Sequence, residues 1–272
     1  VPSGLISVIG TPQGKILHSS DFKLDPSPVD GRLTDMARIA EIAAEDGFRL
    51  LLCDSTNADV PGSTASESDI GLVLEQVFAD NVGRRVITAS FSSHVHRVQQ
   101  IATAAIASGR KVATLGMSMK RNVGLARELG LLKIPDPDFI ELEDVEGYDP
   151  GQICVVSTGS QAESRSALAL AAINDSRWIQ IAETDTIVMS SHPVPGNEAS
   201  VNRMIDELVR RGARVLHTGH MGLHTSGHGK QEELKALHRA VKPEWFVPVH
   251  GEFHHMVAHV ELAEGLGMEP EK

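Results

Sequence analysis

The sequence predicts an α/β protein whose sheets are mainly parallel. Short apolar runs of strand length alternate with segments of helical period. Several of those runs are apolar almost without a break, as strands covered on both faces are. Polar clusters able to do chemistry follow the runs, at the strand ends where α/β sheets hold ligands.

Taken in order, residues 4–9 (Gly-Leu-Ile-Ser-Val-Ile) read as a strand. Thr11-Pro12-Gln13-Gly14 reads as a turn, and the strand resumes from Lys15 to His18. A loop, Ser19-Ser20-Asp21-Phe22-Lys23, comes next. A helical pattern runs through 32–46 on Leu33, Met36, Ile39, Ala40 and Ala43, and Gly47 stops it. Phe48 to Cys53 is a short apolar strand that ends at Asp54-Ser55-Thr56. Beyond it, helices at 66–80, 93–108, 120–129, 163–173, 197–211 and 230–240 alternate with strands at 85–90, 111–115, 139–142, 153–157, 186–190, 213–217 and 245–249. The runs at 85–90, 111–115, 153–157 and 186–190 are the near-continuous ones. The Asp-, Glu- and Pro-rich stretch 134–152 reads as a flexible excursion. There is no internal repeat.

The 272 residues suffice for one large domain or two medium ones. Hydrophobic residues are 41% and aromatics only 4%, so the core must be aliphatic. Cys53 and Cys154 sit far apart in apolar runs, as buried thiols of a reduced, cytoplasmic protein do. No signal peptide and no membrane-length apolar run is evident, and the chain begins at Val1 rather than Met. A net charge of −11 disfavours a broad nucleic-acid-binding face, although metals and a local groove can still neutralise phosphates. Thirteen histidines point instead to metal binding or acid–base work.

Four residues follow apolar strands: Asp21 in HSSDFK, Asp54 in CDSTNAD, His228 in HTSGHGKQEEL and His250 in PVHGEFHH. A carboxylate can bridge two divalent metals and an imidazole can supply a nitrogen ligand. Singly, each has a plain structural reading: Asp21 as a cap, Asp54 to Asn57 as an Asx turn, His228 as a surface or core histidine. In Ser157-Thr158-Gly159-Ser160-Gln161 a strand gives way to a helix. Ser157, Gly159 and Ser160 there either hold a phosphate or simply cap the helix. Phe91, beside Ser92 and Ser93 and one turn before Arg97, either stacks on a base or packs in the core. His94-Val95-His96 has the spacing of a metal motif but reads as a helix start. Pro193 to Glu198 is turn chemistry leading into a helix. His254, His255 and His259 read as helix-surface residues, with His254 near enough to His250 to support it.

The strings HSSDFKLD, LLCDSTNAD, SFSSHVHRVQQ, STGSQAESRSAL, HPVPGNE, HTSGHGKQEEL and WFVPVHGEFHHM, in this order and spacing, resemble the ribonuclease J family. They span residues 18 to about 256. The resemblance implies a discontinuous metallo-β-lactamase domain, in part, at 1–60 and 225–272, interrupted by a β-CASP domain at 61–224. It implies that Asp21 bridges two zinc ions, that Asp54 is the acidic residue of the first β-CASP motif, that His228 faces the scissile phosphate, and that His250 joins the metal shell. A histidine at that last position resembles the RNA-cutting branches. The family's HxHxDH motif lies upstream of this segment. The sequence departs from the family in having Ser20 where Gly is frequent, and Ala162-Glu163-Ser164 in place of Gly-Glu-Pro. By the same resemblance the activity is hydrolysis of RNA phosphodiesters, as an endonuclease, a 5′-to-3′ exonuclease or both. The partner is single-stranded RNA. The small, donor-rich loops at Ser157–Ser160 and Thr225–Gly227 suit a 5′ phosphate held by Ser160 and Ser226, the plain alternative being that both loops are only caps. No membrane association is implied, and the full-length protein is a dimer or tetramer. The alternatives are a catalytically silent RNA-binding segment and a related nuclease acting on DNA.

Overall fold

A computed structural model describes residues 4–194 and 196–272. In chain order it contains β1 (Ser7–Thr11), β2 (Gly14–His18), α1 (Met36–Glu45), β3 (Leu50–Asp54), α2 (Glu67–Ala79), β4 (Arg85–Ala89), α3 (Val95–Ala107), β5 (Lys111–Leu115) and α4 (Met117–Glu128). It continues with β6 (Ile153–Ser157), α5 (Ala167–Ala172), β7 (Asp185–Met189), α6 (Glu198–Arg210), β8 (Arg214–Leu216), α7 (Gln231–Val241), β9 (Trp245–Val249) and α8 (Phe253–Gly265). The chain forms two compact units, one of Val1–Ser66 with Thr225–Lys272 and one of Glu67–His224.

The first unit holds a four-stranded sheet in the order β1-β2-β3-β9. The β1–β2 hairpin is antiparallel, and β2–β3 and β3–β9 are parallel. Leu17, Leu51, Cys53 and Phe246 point to one face, where they join Ile39 of α1, Leu234 and Leu237 of α7, and Leu262 of α8 in a single core. The opposite face carries Ile9, Ile16, Leu50, Leu52, Trp245 and Val247 in register, and Ile9, Trp245 and Val247 are exposed. Gly47, at φ +71°, closes α1 in the left-handed conformation that glycine adopts without a Cβ penalty.

The second unit is a five-stranded, wholly parallel sheet in the order β5-β6-β4-β7-β8. β6 and β7 are buried at every position, which explains their unbroken apolar sequence. Helices α2, α3 and α4 pack on one face and α5 and α6 on the other. Both thiols are buried, Cys154 here and Cys53 in the first unit, and burial pushes both up, Cys154 to about 12.

Three expectations need correction. Residues 139–142 form no strand: only Phe139 bridges to β5, at Val112, and Leu142–Gly147 turns as a 3-10 helix. Glu143 and Asp144 in the first turn favour that helix start and leave the apolar pair too short for a ladder. The 134–152 stretch is ordered by three such turns and by the Lys111–Asp138 and Lys120–Glu141 pairs, at 2.9 and 2.7 Å. Third, α5 starts at Ala167, not at 163. The loop 157–161 therefore does not open a helix, though Thr158 Oγ1 accepts from the Ala167 amide at 3.4 Å. Within the expected turn 193–198, Pro195 lies outside the described residues, as do Val1 to Ser3. No helix among the described residues is long and apolar enough to cross a membrane.

Candidate active site

In the first unit Asp21 follows β2, Asp54 ends β3 and His250 follows β9, three adjoining parallel strands. Parallel strands deliver their following loops to one edge, so residues distant in sequence meet there. His228 joins from the loop before α7. The ligand atoms of Asp21, Asp54, His228 and His250 all lie within 4.8 Å of one another.

Asp54 is the buried centre of the group. Its Oδ2 lies 2.7 Å from His228 Nδ1, and its Oδ1 accepts from the Thr56 hydroxyl at 2.7 Å and the Thr56 amide at 3.1 Å. The Asp54 amide donates to Ser19 Oγ at 3.0 Å, which ties β3 to the Asp21 loop. Burial alone would push the Asp54 carboxyl up. The hydrogen bonds from His228 and Thr56 outweigh it and hold the group below the ordinary carboxylate range. The His228 imidazole is correspondingly raised, first by its hydrogen bond to Asp54, against burial and with help from the Asp54 and Asp21 charges. With Nδ1–H committed to Asp54, the other ring nitrogen is left to exchange a proton with a substrate.

Asp21 and His250 are half-exposed and face one another, His250 Nδ1 lying 3.2 Å from Asp21 Oδ1 and 3.6 Å from Asp54 Oδ1. His250 holds φ +60°, a conformation a β-branched or bulky side chain rarely takes, and Gly251 follows at +99°. A Cβ on Gly251 would come 3.4 Å from Thr56 Cα, so glycine lets the His250 turn approach the Asp54 loop. An accessible carboxylate and imidazole, backed by a buried carboxylate–imidazole pair, suit a divalent metal of the zinc type.

Ser226 also lies in this unit. Its Oγ accepts from Asn57 Nδ2 at 2.9 Å and from the His228 amide at 3.0 Å, which leaves the hydroxyl proton to donate.

The other candidate residues lie in the second unit, at the carboxyl ends of its strands. β4 leads into α3 on one face, whereas its neighbour β6 leads towards α5 on the opposite face. The connections after β4 and β6 leave on opposite faces, as they also do after β4 and β7, the kind of point at which parallel sheets hold ligands. Phe91 stands on the β4 side and Ser157, Gly159 and Ser160 on the β6 side, and the Ser90 amide donates to the Ser157 carbonyl at 3.2 Å. Gly159 holds φ +106°, where an added Cβ would fall 2.5 Å from Ser166 Oγ.

The structure corrects several side-chain readings. Phe91 is exposed, not core. Arg97 is fully buried: it pairs with Glu67 at 2.7 Å and donates to Ser190 Oγ at 2.6 Å and the Leu223 carbonyl at 3.0 Å, so it faces no substrate. His94 caps α3 by accepting from the Arg97 amide, in keeping with a helix start. His259 is not on the helix surface but wholly buried, bonded to Ser55 Oγ at 2.9 Å and His238 Nε2 at 3.2 Å. His254 and His255 form a separate group with Asp59. His255 Nδ1 accepts from the Glu252 amide at 2.9 Å, and its Nε2 lies 3.9 Å from Asp59 Oδ1. Glu233, Asn57 and Thr56 also hold the site loops; the sequence placed Thr56 and Asn57 only in an Asx turn, and it did not single out Glu233, whose partners Leu24 and Thr64 are distant.

Two family models match the chain: the ribonuclease J β-CASP domain over residues 83–208 and the Zn-dependent metallo-hydrolase RNA specificity domain over 213–271. Among curated relatives, the Ribonuclease J of Helicobacter pylori (strain ATCC 700392 / 26695) is 42% identical over 264 residues, which is 97% of this chain and 38% of the relative. That of Mycolicibacterium smegmatis is 41% identical over 271 residues, 100% of this chain and 48% of the relative. That of Thermus thermophilus is 42% identical over 272 residues, 100% and 47% respectively. The chain thus spans less than half the length of these relatives. Two adjoining family matches, and identity sustained along its whole length, mean that the chain belongs to the ribonuclease J family.

Proposed function

We propose that this chain forms part of a zinc-dependent ribonuclease that hydrolyses RNA phosphodiester bonds from a 5′ end, internally, or both. The observation that carries the reading is the convergence of Asp21, Asp54, His228 and His250 at one sheet edge. Asp21 and His250 are the residues to hold zinc, two ions per site in the full-length enzyme. Bound zinc supplies Lewis acidity toward a phosphoryl oxygen. His228 acts as the general acid. Hydrolysis adds hydroxyl to phosphorus and a proton to the leaving oxygen, and the raised imidazolium supplies that proton. Asp54 steadies the imidazolium and fixes its orientation.

In this reading the first unit is the metallo-β-lactamase part and the second the β-CASP part. Phe91 stacks on a base, while Gly159 and Ser160, and separately Ser226, donate to phosphate. Location at the strand-end crevice supports the first three, and the unspent hydroxyl proton supports Ser226. Ser157, expected to hold phosphate, is instead wholly buried with its hydroxyl donating to the Thr158 carbonyl at 2.9 Å. A cytoplasmic dimer or tetramer completes the reading. It rests on the resemblance, with the reduced, buried thiols in keeping with that compartment.

The test uses the longer protein that contains this chain, loaded with zinc. RNA and DNA oligonucleotides of one sequence are offered with and without chelator. Chelator-sensitive cleavage of RNA alone is expected. Cleavage of DNA at an equal rate would favour a DNA nuclease. Binding of RNA without cleavage would favour a silent binding module.

A further inference from the structure

Glu233 is a buried carboxylate on the first turn of α7 that the mechanism above does not use. Its Oε2 accepts from the Lys230 amide at 2.9 Å, the Thr64 amide at 2.7 Å and the Thr64 hydroxyl at 2.6 Å. Its Oε1 accepts from the Leu24 amide at 2.9 Å. Only the bond to Lys230 is the ordinary one by which an acidic third residue completes a helix start. The other three reach segments that lie far away in the chain.

Those segments carry the site. Leu24 lies three residues after Asp21, and Lys230 two after His228. Thr64 Oγ1 also lies 3.1 Å from the His228 carbonyl, which accepts from Asn57 Nδ2 at 2.8 Å as well. Beside Glu233 the two loops touch directly, the Gly229 amide donating to the Phe22 carbonyl at 2.7 Å. A Cβ on Gly229 would come 3.1 Å from Glu233 Cβ and 3.4 Å from the Phe22 carbonyl, so a larger residue there would have to push the clamp apart by a few tenths of an ångström. An ionised carboxylate suits this place because it only accepts, and every group it faces donates.

We propose that Glu233 is a positioning residue, its carboxylate fixing the Asp21 and His228 loops relative to each other from behind. The effect on turnover rests on the ribonuclease reading, whereas the effect on loop geometry does not.

Glu233→Gln tests this with volume conserved. If the amide oxygen takes the three-donor side, its NH2 group faces the Leu24 N–H, and one anchor becomes a donor–donor conflict. In the zinc-loaded longer protein the variant should lose about 100-fold in kcat, the scale of a reacting group misplaced by an ångström. KM should stay within about threefold, because substrate binding does not depend on that anchor. The neighbouring, exposed Glu232→Gln should match wild type. Gly229→Ala, whose Cβ would press on the Glu233 side chain and the Phe22 carbonyl, should reproduce the kcat loss. Hydrogen exchange on the present chain separates a failure of this proposal from a failure of the ribonuclease reading. In Glu233→Gln the Leu24, Thr64 and Lys230 amides should exchange about tenfold faster while Leu51 and Phe246 in the sheet stay protected. That pattern sustains the proposal even if wild type cuts no RNA. Unchanged protection at those amides, or kcat within about twofold of wild type in an active enzyme, overturns it.

Discussion

Lowering the pH should destabilise the first unit through one buried pair, His238 and His259. Ser55 Oγ lies 3.1 Å from the Cys53 carbonyl and shares a hydrogen bond with His259 Nδ1 at 2.9 Å. His259 Nε2 and His238 Nε2, 3.2 Å apart, share one N–H, and both rings are neutral. Burial lowers His238 to about 4 and His259 to about 3, the latter also by its neighbour's charge. Both folded values lie below the unfolded value of about 6.5, so the unfolded chain binds more protons as pH falls through that window. The stability they contribute is complete above that value and is lost progressively on acidification. By pH 4.5 the two histidines together should have cost on the order of 5 kcal/mol. That is comparable to the whole stability of a modest domain, about 5–15 kcal/mol. The comparison is His238→Leu/His259→Phe, which removes both titrations and leaves no orphaned ring donor. Denaturant unfolding from pH 7 to 4.5 would follow Trp245, which lies on β9, in a Trp178→Phe background. Wild type should lose several kcal/mol more than the double variant. Parallel losses in the two proteins would refute the reasoning.

Three further outcomes follow from other parts of the molecule. Arg97→Met should destabilise the second unit by about 3–5 kcal/mol, because it removes the buried guanidinium that pairs with Glu67, and calorimetry or exchange in α3 would read it. Ala162, at φ +55°, bears the left-handed penalty of about 1–2 kcal/mol, which is offset in part by the greater unfolded-state entropy of glycine. Ala162→Gly should therefore leave the melting temperature unchanged or raised, and a clear fall would contradict this. In the longer enzyme, Ser160→Ala and Ser226→Ala should each lower the rate ratio of 5′-monophosphate to 5′-hydroxyl RNA with internal cleavage preserved. An unchanged ratio in both removes these serines from phosphate binding.

Asp21, Asp54 and His250 were legible because each follows an apolar run, and parallel strands carry such ends to one edge, whereas His228 follows no strand of that sheet and enters from the loop before α7, against the expectation that it too follows an apolar strand. The second unit was legible from its unbroken strands. His259 was not, since a polar residue at a helical position reads as surface until its partner Ser55, 204 residues away, is known. Nor was the buried role of Arg97 legible, its partners Glu67, Ser190 and Leu223 being distant in sequence. Backbone strain left only an indirect trace. Ser20 and Ala162, the two places where the resemblance expects Gly, hold φ +52° and +55°. The left-handed turns persist there without the residue that advertises them.

The division of labour between His228 and His250 tests the central claim most directly. RNA hydrolysis and bound zinc would be measured on the same preparations of the longer protein, as wild type, His228→Ala and His250→Ala. His228→Ala should lower turnover by about two to four decades, the range for a positioned acid, and keep its zinc. His250→Ala should lose both activity and zinc. Zinc loss in His228→Ala with zinc retained in His250→Ala, or turnover in His228→Ala close to wild type, would contradict the account.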